Sequence, residues 1–283
     1  MTESSAPTAV VTGATSGIGR VVALDLARQG WTVLCVGRDA GRGAETLAEI
    51  EAAAGSRRAE FLQADLSSIA AGKALGTMIR DRRPRLDLLV NNAGSLFDRR
   101  LESVDGLEMT FALNHLGYFV LTHMLLPALR AAPAARIVSV ASGAHRRATL
   151  DFADLQMTRG YSGWQAYARS KLANILFTRE LARRLAGGTV TTNCLHPGFV
   201  ASRFGSGNGP LWRTVFRTAQ LFAISPAESA KGVLHVALAP ELAATSGAYF
   251  DRARPAQSSP AAEDLRAARE LWAVSAELTG LGA

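Results

Sequence analysis

The sequence predicts an α/β fold, in which a single domain is built on a doubly wound parallel sheet of about seven strands with helices on both faces. Short β-type runs alternate with helical patterns along the 283 residues, which is typical of such sheets. The first four runs are continuously apolar, as expected of strands buried on both faces. With 48% hydrophobic residues, the chain can fill the core of one large domain. We therefore predict a single domain over residues 1–283.

The elements follow one another in a regular order. Seven short runs are predicted strands, and they cover residues 8–12, 31–36, 59–63, 86–90, 136–140, 189–194 and 247–250. Amphipathic patterns predict helices between and after them, at residues 18–29, 41–54, 68–82, 105–130, 161–186, 226–238 and 261–278.

Two stretches do not fit this alternation. Residues 202–226 begin glycine-rich and continue as an amphipathic segment. Long irregular insertions in compact domains are often lids or binding loops, so we predict a substrate lid there. The stretch RARPAQSSPAAED, residues 252–264, is predicted to be a surface loop.

Composition excludes several classes of function. The net charge is +7, but the arginines are scattered and no basic run contains interleaved aromatics, so we expect no nucleic-acid partner. No stretch approaches the ~20 apolar residues of a membrane span, and the N-terminus does not resemble a signal peptide. We therefore expect a soluble, cytoplasmic protein without a membrane partner. Cys35 and Cys194 are predicted to be buried, unpaired thiols, and the histidine spacing indicates no metal site.

A glycine-rich turn links the first strand to the first helix. The sequence TGATSGIGR, residues 12–20, has the pattern T-G-x-x-x-G-x-G. Glycines let the backbone approach a pyrophosphate closely, and a helix N-terminus offers free N–H groups and the positive end of a dipole. We predict a dinucleotide site here rather than a plain turn, formed by Gly13, Thr15, Ser16, Gly17, Ile18 and Gly19.

The end of the second strand indicates which dinucleotide binds. Gly37 stands where an NAD site usually has an acid for the ribose, and Arg38 follows it. Arginine suits a 2′-phosphate, so NADP(H) is favoured over NAD(H). In the alternative, Asp39 is the ribose acid and Arg38 is solvated, although Asp39 resembles the start of a helix. Asp65 and Leu66, after the third strand, are predicted cofactor contacts. Asp65 would lie near the adenine amino group, and a place in a helix N-cap region is compatible with that role.

Tyr167 and Lys171 lie four residues apart in a predicted helix, in the sequence YARSK. Residues with this spacing lie on one face of a helix. An ammonium near a phenol favours the phenolate and lowers the phenol pKa, which would make Tyr167 a usable acid or base near neutral pH. Taken alone, the pattern also fits a helix with a tyrosine on one face and a solvated lysine.

The chain resembles the short-chain dehydrogenase/reductase family, whose fold is a Rossmann-type doubly wound sheet. The resemblance rests on motifs that occur in order along nearly the whole chain: TGATSGIG at 12–19, NNAG at 91–94, NHLG at 114–117, SVAS at 139–142, YARSK at 167–171 and HPG at 196–198. The segments NHLGYFVLTHMLLPAL, YARSKLANILFTRELARRL and LHPGFVASRF resemble the retinol dehydrogenase-like branch.

The resemblance implies four catalytic residues. Tyr167 would be the acid/base tyrosine, and Lys171 the lysine that holds the nicotinamide ribose and lowers the phenol pKa. Ser142 would hydrogen-bond the substrate oxygen, with Ser139 as a competitor for that role. Asn114 would hold a water behind the lysine, or serve only as a bridge within its helix.

The resemblance also implies further cofactor contacts after the fourth and sixth strands. They are Asn91, Ala93, Gly94, Pro197, Gly198 and Val200, in addition to Tyr167 and Lys171. His145 lies close to Ser142 in the sequence but receives no role.

These observations predict an NADP(H)-dependent oxidoreductase, of the ketoreductase type, that interconverts an alcohol with a ketone or aldehyde. An apolar small-molecule substrate is expected from four residues of the predicted lid: Trp212, Phe216, Leu221 and Phe222. Two alternatives on the same fold are a non-redox isomerase, dehydratase or cyclase, and a dinucleotide-sensing binding protein. Many relatives pair through helices that correspond to 105–130 and 161–186, which would give a homo-oligomer, a dimer or a tetramer.

Overall fold

An eight-stranded sheet forms the centre of the molecule. The structure is a computed structural model, and it describes residues 6–55, 57–199 and 224–282. In chain order the strands are β1 Thr8–Thr12, β2 Thr32–Gly37, β3 Ala59–Gln63, β4 Leu88–Asn91, β5 Ala135–Val140, β6 Val190–His196, β7 Tyr249–Asp251 and β8 Arg254–Pro255.

The strand order is β3-β2-β1-β4-β5-β6-β7-β8. All neighbouring pairs are parallel except β7 and β8, which are antiparallel. The chain builds the sheet outward from β1 in one direction and then outward from β4 in the other. Ligands of open α/β sheets bind at the carboxyl ends of the strands, at such a reversal of direction. The predicted doubly wound α/β fold is confirmed.

The helices lie on both faces of the sheet. They are α1 Gly17–Arg28, α2 Ala40–Ala54, α3 Ile69–Arg82, α4 Met109–Phe111, α5 Gly117–Arg130, α6 Gly163–Arg184, α7 Pro226–Leu238 and α8 Leu265–Thr279. Short 3₁₀ turns cover Gly143–Arg147, Pro240–Leu242 and Pro260–Ala262, and a π-helical segment covers Ala112–Leu116.

The predicted helix over 105–130 is wrong in its first part. Residue Gly106 has a φ of +72°, and Glu102 pairs with Glu108 in an isolated antiparallel bridge, so the chain makes a bend where a helix was expected. The helix begins at Met109 because the Glu108 carboxylate accepts hydrogen bonds from the main-chain N–H groups of the first turn. A π-helical turn then interrupts it before α5.

The strand β8 and the 3₁₀ turn Pro260–Ala262 were also missed, because elements of two or three residues are too short to show a periodic pattern. The stretch over 252–264 is therefore not simply a surface loop. Ser258 and Ser259 within it are buried.

Each face of the sheet has its own hydrophobic core. One core packs α1, α2 and α7 against the sheet, with Val22 and Val233 wholly buried. The other packs α3, α5 and α6, with Leu125 and Phe177 buried. Burial on both faces agrees with the largely apolar sequences of β1, β2 and β4. The same expectation is wrong for β3, which contains Glu60 and Gln63 and is only partly buried because it lies at the edge of the sheet.

Helix α8 packs across α5 and α6 through Trp272. The indole stacks on the Phe177 ring at a centroid distance of 5.8 Å and meets Phe119 edge-on at 5.1 Å. The Arg184 guanidinium lies 4.3 Å above the indole, which adds a cation–π contact. These parts of α5 and α6 are thus buried within the chain itself. The homo-oligomer expected from pairing of these helices stays a prediction.

Cys35 and Cys194 are free and buried, as predicted. None of the helices in the described ranges is long and apolar enough to cross a bilayer. Most of the predicted lid lies outside the described residues, together with Val200, Trp212, Phe216, Leu221 and Phe222.

Replacing Trp272 by alanine should lower the free energy of unfolding by about 3–5 kcal/mol, because the substitution removes a large buried side chain and leaves a cavity. Urea denaturation followed by circular dichroism measures this value. The matched control is Trp164→Ala, since Trp164 is 41% exposed and its loss should cost less than about 1 kcal/mol. Equal losses for the two variants would contradict the packing role of Trp272.

Candidate active site

The Thr12 hydroxyl joins the ends of β1 and β4. It donates a hydrogen bond to the Val90 carbonyl at 3.2 Å and accepts hydrogen bonds from the main-chain N–H groups of Asn92 at 2.8 Å and Ala93 at 2.9 Å. The Asn92 side-chain amide donates in turn to the Thr12 carbonyl at 2.8 Å. The glycine turn after β1 and the NNAG segment after β4 are thereby fixed side by side.

The glycines of the turn are required by the backbone. Gly13 and Gly17 have φ angles of +66° and +54°, a region that favours glycine. A Cβ at Gly13 would lie 2.9 Å from the Asn92 amide nitrogen, and a Cβ at Gly19 would collide with the Gly13 carbonyl. Glycine is therefore required at both positions, because the backbone of the turn and the NNAG segment pack directly against each other there.

Helix α1 begins without a capping side chain. Its N-cap residue is Ser16, and the Ser16 hydroxyl accepts no hydrogen bond from the first turn within the described residues. The other helices that begin after a loop are capped, by Asp39, Ser68, Glu108, Ser162, Ser225 and Asp264. The free N–H groups of the first turn of α1 can bind an anion. The tight glycine turn and the uncapped helix N-terminus together fit the pyrophosphate of a dinucleotide.

Two predicted members of the turn also pack against the protein. Thr15 lies against the end of β2, and the Ile18 side chain packs against the core beneath α1. A Cβ at Gly37 would lie 2.7 Å from Thr15 Cγ2. Position 37 therefore has no room for the acidic side chain that an NAD site usually carries.

Asp39 is the N-cap of α2, where its carboxylate accepts the Arg42 N–H at 3.0 Å and pairs with the Arg42 guanidinium at 3.3 Å. The Arg38 side chain is 57% exposed, and its nearest acid is Asp65, with Nη1 4.0 Å from Oδ2. The predicted helix start at Asp39 is confirmed. Arg38 remains available at the end of β2.

The predicted contacts after β3 have different surroundings. The Asp65 carboxylate accepts hydrogen bonds from the Ser67 N–H at 3.0 Å and the Ser67 hydroxyl at 2.8 Å. The N-cap residue of α3 is Ser68, three residues after Asp65. Asp65 therefore lies in the turn before the helix and is not its N-cap. Leu66 is buried in the core beside α5.

Within the NNAG segment, Asn91 and Gly94 lie in different surroundings. Asn91 is wholly buried and donates to the Thr122 hydroxyl on α5 at 3.0 Å, which is a structural contact. Gly94 is exposed, and a Cβ there would lie 3.1 Å from Asn114 Oδ1 and 3.5 Å from Lys171 Nζ. Gly94 therefore borders the predicted catalytic residues.

Asn114 is wholly buried in the π-helical segment. Its Oδ1 accepts the Ser95 N–H at 2.9 Å, and its Nδ2 donates to the Ser95 carbonyl and to the Ser170 hydroxyl, each at 2.9 Å. The Ser170 hydroxyl donates to the Tyr167 carbonyl at 2.8 Å. Asn114 thus bridges the segment at Ser95 and helix α6, and it is not a bridge within its own helix. The water that it was expected to hold behind Lys171 stays a prediction.

Ser142, Tyr167 and Lys171 are brought together beyond the end of β5. The Ser142 side chain lies close enough to the Tyr167 hydroxyl to lower the pKa of the phenol. The Lys171 ammonium donates to the Val140 carbonyl at 2.9 Å and lies 5.7 Å from the centroids of the Tyr118 and Tyr167 rings. Tyr167 and Lys171 share one face of α6, as their spacing predicted.

Ser139, the competitor of Ser142, lies inside β5. It is wholly buried, and its hydroxyl has no hydrogen-bond partner among the described residues. The side chain that reaches Tyr167 is therefore that of Ser142.

The phenol pKa differs from the expectation. Burial raises the pKa of Tyr167 to about 12, and the nearby Ser142 side chain opposes this shift only in part. Burial also lowers the pKa of Lys171 to about 7. The expected lowering of the phenol pKa by Lys171 is absent because the lysine is itself desolvated, so its ammonium form is disfavoured near neutral pH.

Pro197 and Gly198 are buried directly after β6, at the same edge of the sheet. Gly198 has a φ of +91°, and a Cβ there would collide with Ile224. The glycine is therefore required by the turn.

Several residues of the site were not predicted from the sequence: Thr12, Asn92, Tyr118, Ser170 and His145. All five lie in or beside the recognised motifs: Thr12 opens TGATSGIG, and the others belong to or lie beside NNAG, NHLG, YARSK and SVAS. Their contacts join distant parts of the chain, and single motifs carry no signal for such contacts.

A family model described as short chain dehydrogenase matches residues 7–209. The chain belongs to the short-chain dehydrogenase family. Human retinol dehydrogenase 13 is 40% identical over 289 residues, which cover 98% of this chain and 85% of that protein. Mouse polyprenol dehydrogenase is 42% identical over 281 residues, which cover 97% of this chain and 84% of that protein. The predicted family and its retinol dehydrogenase-like branch are confirmed.

Several solved structures have the same fold. An uncharacterized protein from Mycobacterium paratuberculosis is 32% identical with a TM-score of 0.78, covering 97% of this chain and 93% of that one. A short chain dehydrogenase from Burkholderia cenocepacia, in complex with NADP, is 28% identical with a TM-score of 0.69, covering 87% and 95%. This short-chain dehydrogenase is accordingly an oxidoreductase that acts on CH–OH groups with NAD(P).

Replacing Lys171 by methionine should stabilise the cofactor-free protein at pH 6, and the gain should shrink as the pH rises. The pKa of Lys171 is about 7 in the folded chain and 10.5 in the reference state, so the unfolded wild-type chain binds more protons between these values. Wild-type stability therefore rises with pH across this window, by up to about 1.4 kcal/mol per pH unit.

Urea denaturation of both proteins at pH 6, 7.5 and 9 measures this difference. Lys231→Met is the control, since the Lys231 side chain is 72% exposed and its loss should give a nearly constant difference. A Lys171→Met difference that does not change with pH would contradict the burial of an unfavourable charge.

Proposed function

We propose that this short-chain dehydrogenase uses NADP(H) to interconvert an alcohol with a ketone or aldehyde, and that its substrate is an apolar small molecule. The observation that carries the proposal is the assembly of Ser142 and Lys171 around the Tyr167 phenol, with the Lys171 amine 5.7 Å from the centroid of its ring. A proton donor, a polar hydroxyl and a titratable amine near neutral pH are the groups that carbonyl reduction requires.

A bound nicotinamide supplies or accepts the hydride. Tyr167 is protonated near neutral pH because burial raises its pKa to about 12, so it can donate a proton to the carbonyl oxygen. The Ser142 hydroxyl can hydrogen-bond to the same oxygen and hold the phenol toward it. Lys171, whose pKa is about 7, can take up and release a proton beside Tyr167 near neutral pH.

The dinucleotide would be held at two places in the described chain. The glycine turn, with the free N–H groups of the first turn of α1, suits the pyrophosphate. Lys171 and Gly94 border the catalytic end of the site.

A preference for NADP(H) is supported by the end of β2. Gly37 leaves no room for a ribose-binding acid, and Asp39 is engaged in capping α2. Arg38 directly follows Gly37 and is 57% exposed, and a guanidinium suits a phosphate. The relative from Burkholderia cenocepacia was solved with NADP, which agrees with this preference.

An apolar substrate is supported by exposed aromatic surface at the site. Trp164 is 41% exposed, and its ring centroid lies 6.0 Å from that of Tyr167. Phe199 is 48% exposed and follows the turn at Gly198. Two relatives are named retinol dehydrogenase 13 and polyprenol dehydrogenase, and retinol and polyprenol are both apolar alcohols.

A non-redox enzyme and a dinucleotide-sensing protein are less well supported, because neither requires the assembled group of Ser142, Tyr167 and Lys171. Cytoplasmic location stays a prediction from the sequence.

Replacing Tyr167 by phenylalanine should lower NADPH oxidation about 100- to 10,000-fold against a panel of aldehydes and ketones, because it removes the proton donor. NADPH binding, measured by its fluorescence, should stay within a few-fold of wild type. Tyr161→Phe is the control, since it also removes a phenol hydroxyl, one that hydrogen-bonds to Phe97 and Glu108. Full activity of Tyr167→Phe would refute the proposed role.

Replacing Arg38 by leucine should weaken NADPH binding about 10- to 100-fold and leave NADH binding nearly unchanged. A hydrogen bond to a charged group contributes about 1.5–3 kcal/mol, and about 1.4 kcal/mol corresponds to tenfold in Kd. Titration calorimetry with both dinucleotides measures the two effects.

Arg57→Leu is the matched control for Arg38→Leu, because Arg57 is also an exposed, acid-paired arginine. A second variant, Asp39→Asn, tests the alternative in which Asp39 binds the ribose. Loss of NADH binding in Asp39→Asn, with NADPH binding unaffected by Arg38→Leu, would overturn the NADP(H) preference.

A further inference from the structure

Ser142 lies beyond the last hydrogen bond of its strand. Strand β5 ends at Val140, and the final ladder bond runs from the Ala141 N–H to the Leu195 carbonyl at 2.8 Å. The sheet therefore does not fix the main chain at Ser142, although its hydroxyl must be held at Tyr167 for the proposed chemistry.

The imidazole of His145 holds this main chain. His145 is wholly buried in the 3₁₀ turn Gly143–Arg147, and its Nδ1 lies 2.6 Å from the Ser142 carbonyl oxygen. The His145 main-chain N–H donates to the same carbonyl at 3.2 Å. The Ser142 carbonyl thus accepts two hydrogen bonds from a single residue.

The second ring nitrogen fixes the protonation of His145. The Ser259 main-chain N–H lies 3.2 Å from Nε2, and a main-chain N–H can only donate. Nε2 is therefore the acceptor, and Nδ1 carries the proton that it donates to Ser142. Burial lowers the pKa of His145, and the neighbouring Arg146 and His196 lower it further, which agrees with a neutral ring in one tautomer.

The anchor on the other side is the segment 256–259. Ser259 is buried, and the Arg146 guanidinium donates to the Gln257 carbonyl at 2.7 Å, a second link from the same turn. The His145 ring also packs against Tyr249 of β7 at a centroid distance of 5.1 Å. The turn is thereby tied to β7 and to the segment that follows β8.

We infer that His145 is a positioning residue: its neutral imidazole ties the Ser142 carbonyl to the Ser259 N–H and so holds the Ser142 hydroxyl at Tyr167. This inference rests on the proposed function. It assigns no contact between His145 and the substrate, because the ring acts through Ser142.

Three variants separate the two hydrogen bonds of the His145 ring, from Nδ1 to the Ser142 carbonyl and from the Ser259 N–H to Nε2. His145→Phe keeps an aromatic ring but removes both bonds. His145→Asn places an amide donor near the position of Nδ1, and His145→Gln places an amide oxygen near the position of Nε2. We expect kcat of the Phe and Gln variants to fall about tenfold or more, as for loss of one hydrogen bond. The Asn variant should recover part of this loss, because it keeps the bond to the Ser142 carbonyl and loses only the bond to Ser259.

A double-mutant cycle shows whether the effect passes through Ser142. In a Ser142→Ala background, His145→Phe should cause no further fall in kcat, because the hydroxyl that it positions is gone. KM for NADPH should stay within about twofold in all His145 variants, since the predicted cofactor contacts lie elsewhere.

His123→Phe is the matched control, because the His123 Nδ1 also contacts a main-chain carbonyl, that of Phe119, at 2.8 Å. His123 lies on α5 beside Trp272, so its replacement should affect the melting temperature rather than kcat. If His145→Phe does not fold, the Asn and Gln variants carry the same comparison.

The inference is overturned if His145→Phe lowers kcat by the same factor with and without Ser142, or if Asn and Gln behave alike. Both outcomes concern only the variants, so they would contradict the role of His145 without contradicting the proposed function. Absence of any Tyr167-dependent turnover in the wild type would instead overturn the proposed function and, with it, this role.

Discussion

The side-chain amide of Asn114 joins the three segments on which the site depends. It is wholly buried, and both its oxygen and its nitrogen are used, by Ser95 after β4 and by Ser170 on α6. A buried amide left without partners costs about 1–3 kcal/mol, so these segments are held in one arrangement. Gly94 precedes Ser95, and Lys171 follows Ser170. The amide thereby fixes the border of the predicted cofactor site relative to the catalytic helix.

Burial then determines the protonation of the groups that Asn114 brings together. It raises the pKa of Tyr167 and lowers that of Lys171, so both groups favour their neutral forms in the chain by itself. A neutral phenol is suited to donate a proton, and a lysine with a pKa of about 7 is suited to exchange one. A protonated phenol is the form of Tyr167 that the proposed reduction of a carbonyl requires.

Most of the fold could be predicted from the sequence, because strands buried on both faces are largely apolar and turns are rich in residues such as Gly, Pro, Asn and Asp. The alignment of Tyr167 with Lys171 followed from helical spacing. The phenol pKa could not be predicted, since it depends on burial by distant segments. The π-helical turn at Asn114 and the tie between His145 and Ser259 were missed for the same reason: each depends on tertiary contacts.

The most direct measurement is the transfer of deuterium from NADPH labelled at both C4 positions of the nicotinamide to the product, followed by mass spectrometry. If Tyr167, Ser142 and Lys171 serve a carbonyl reduction, each product molecule should carry one deuterium on the carbon that becomes the alcohol. A substrate that is converted without gaining deuterium would contradict the redox reaction and favour an isomerase, dehydratase or cyclase on this fold.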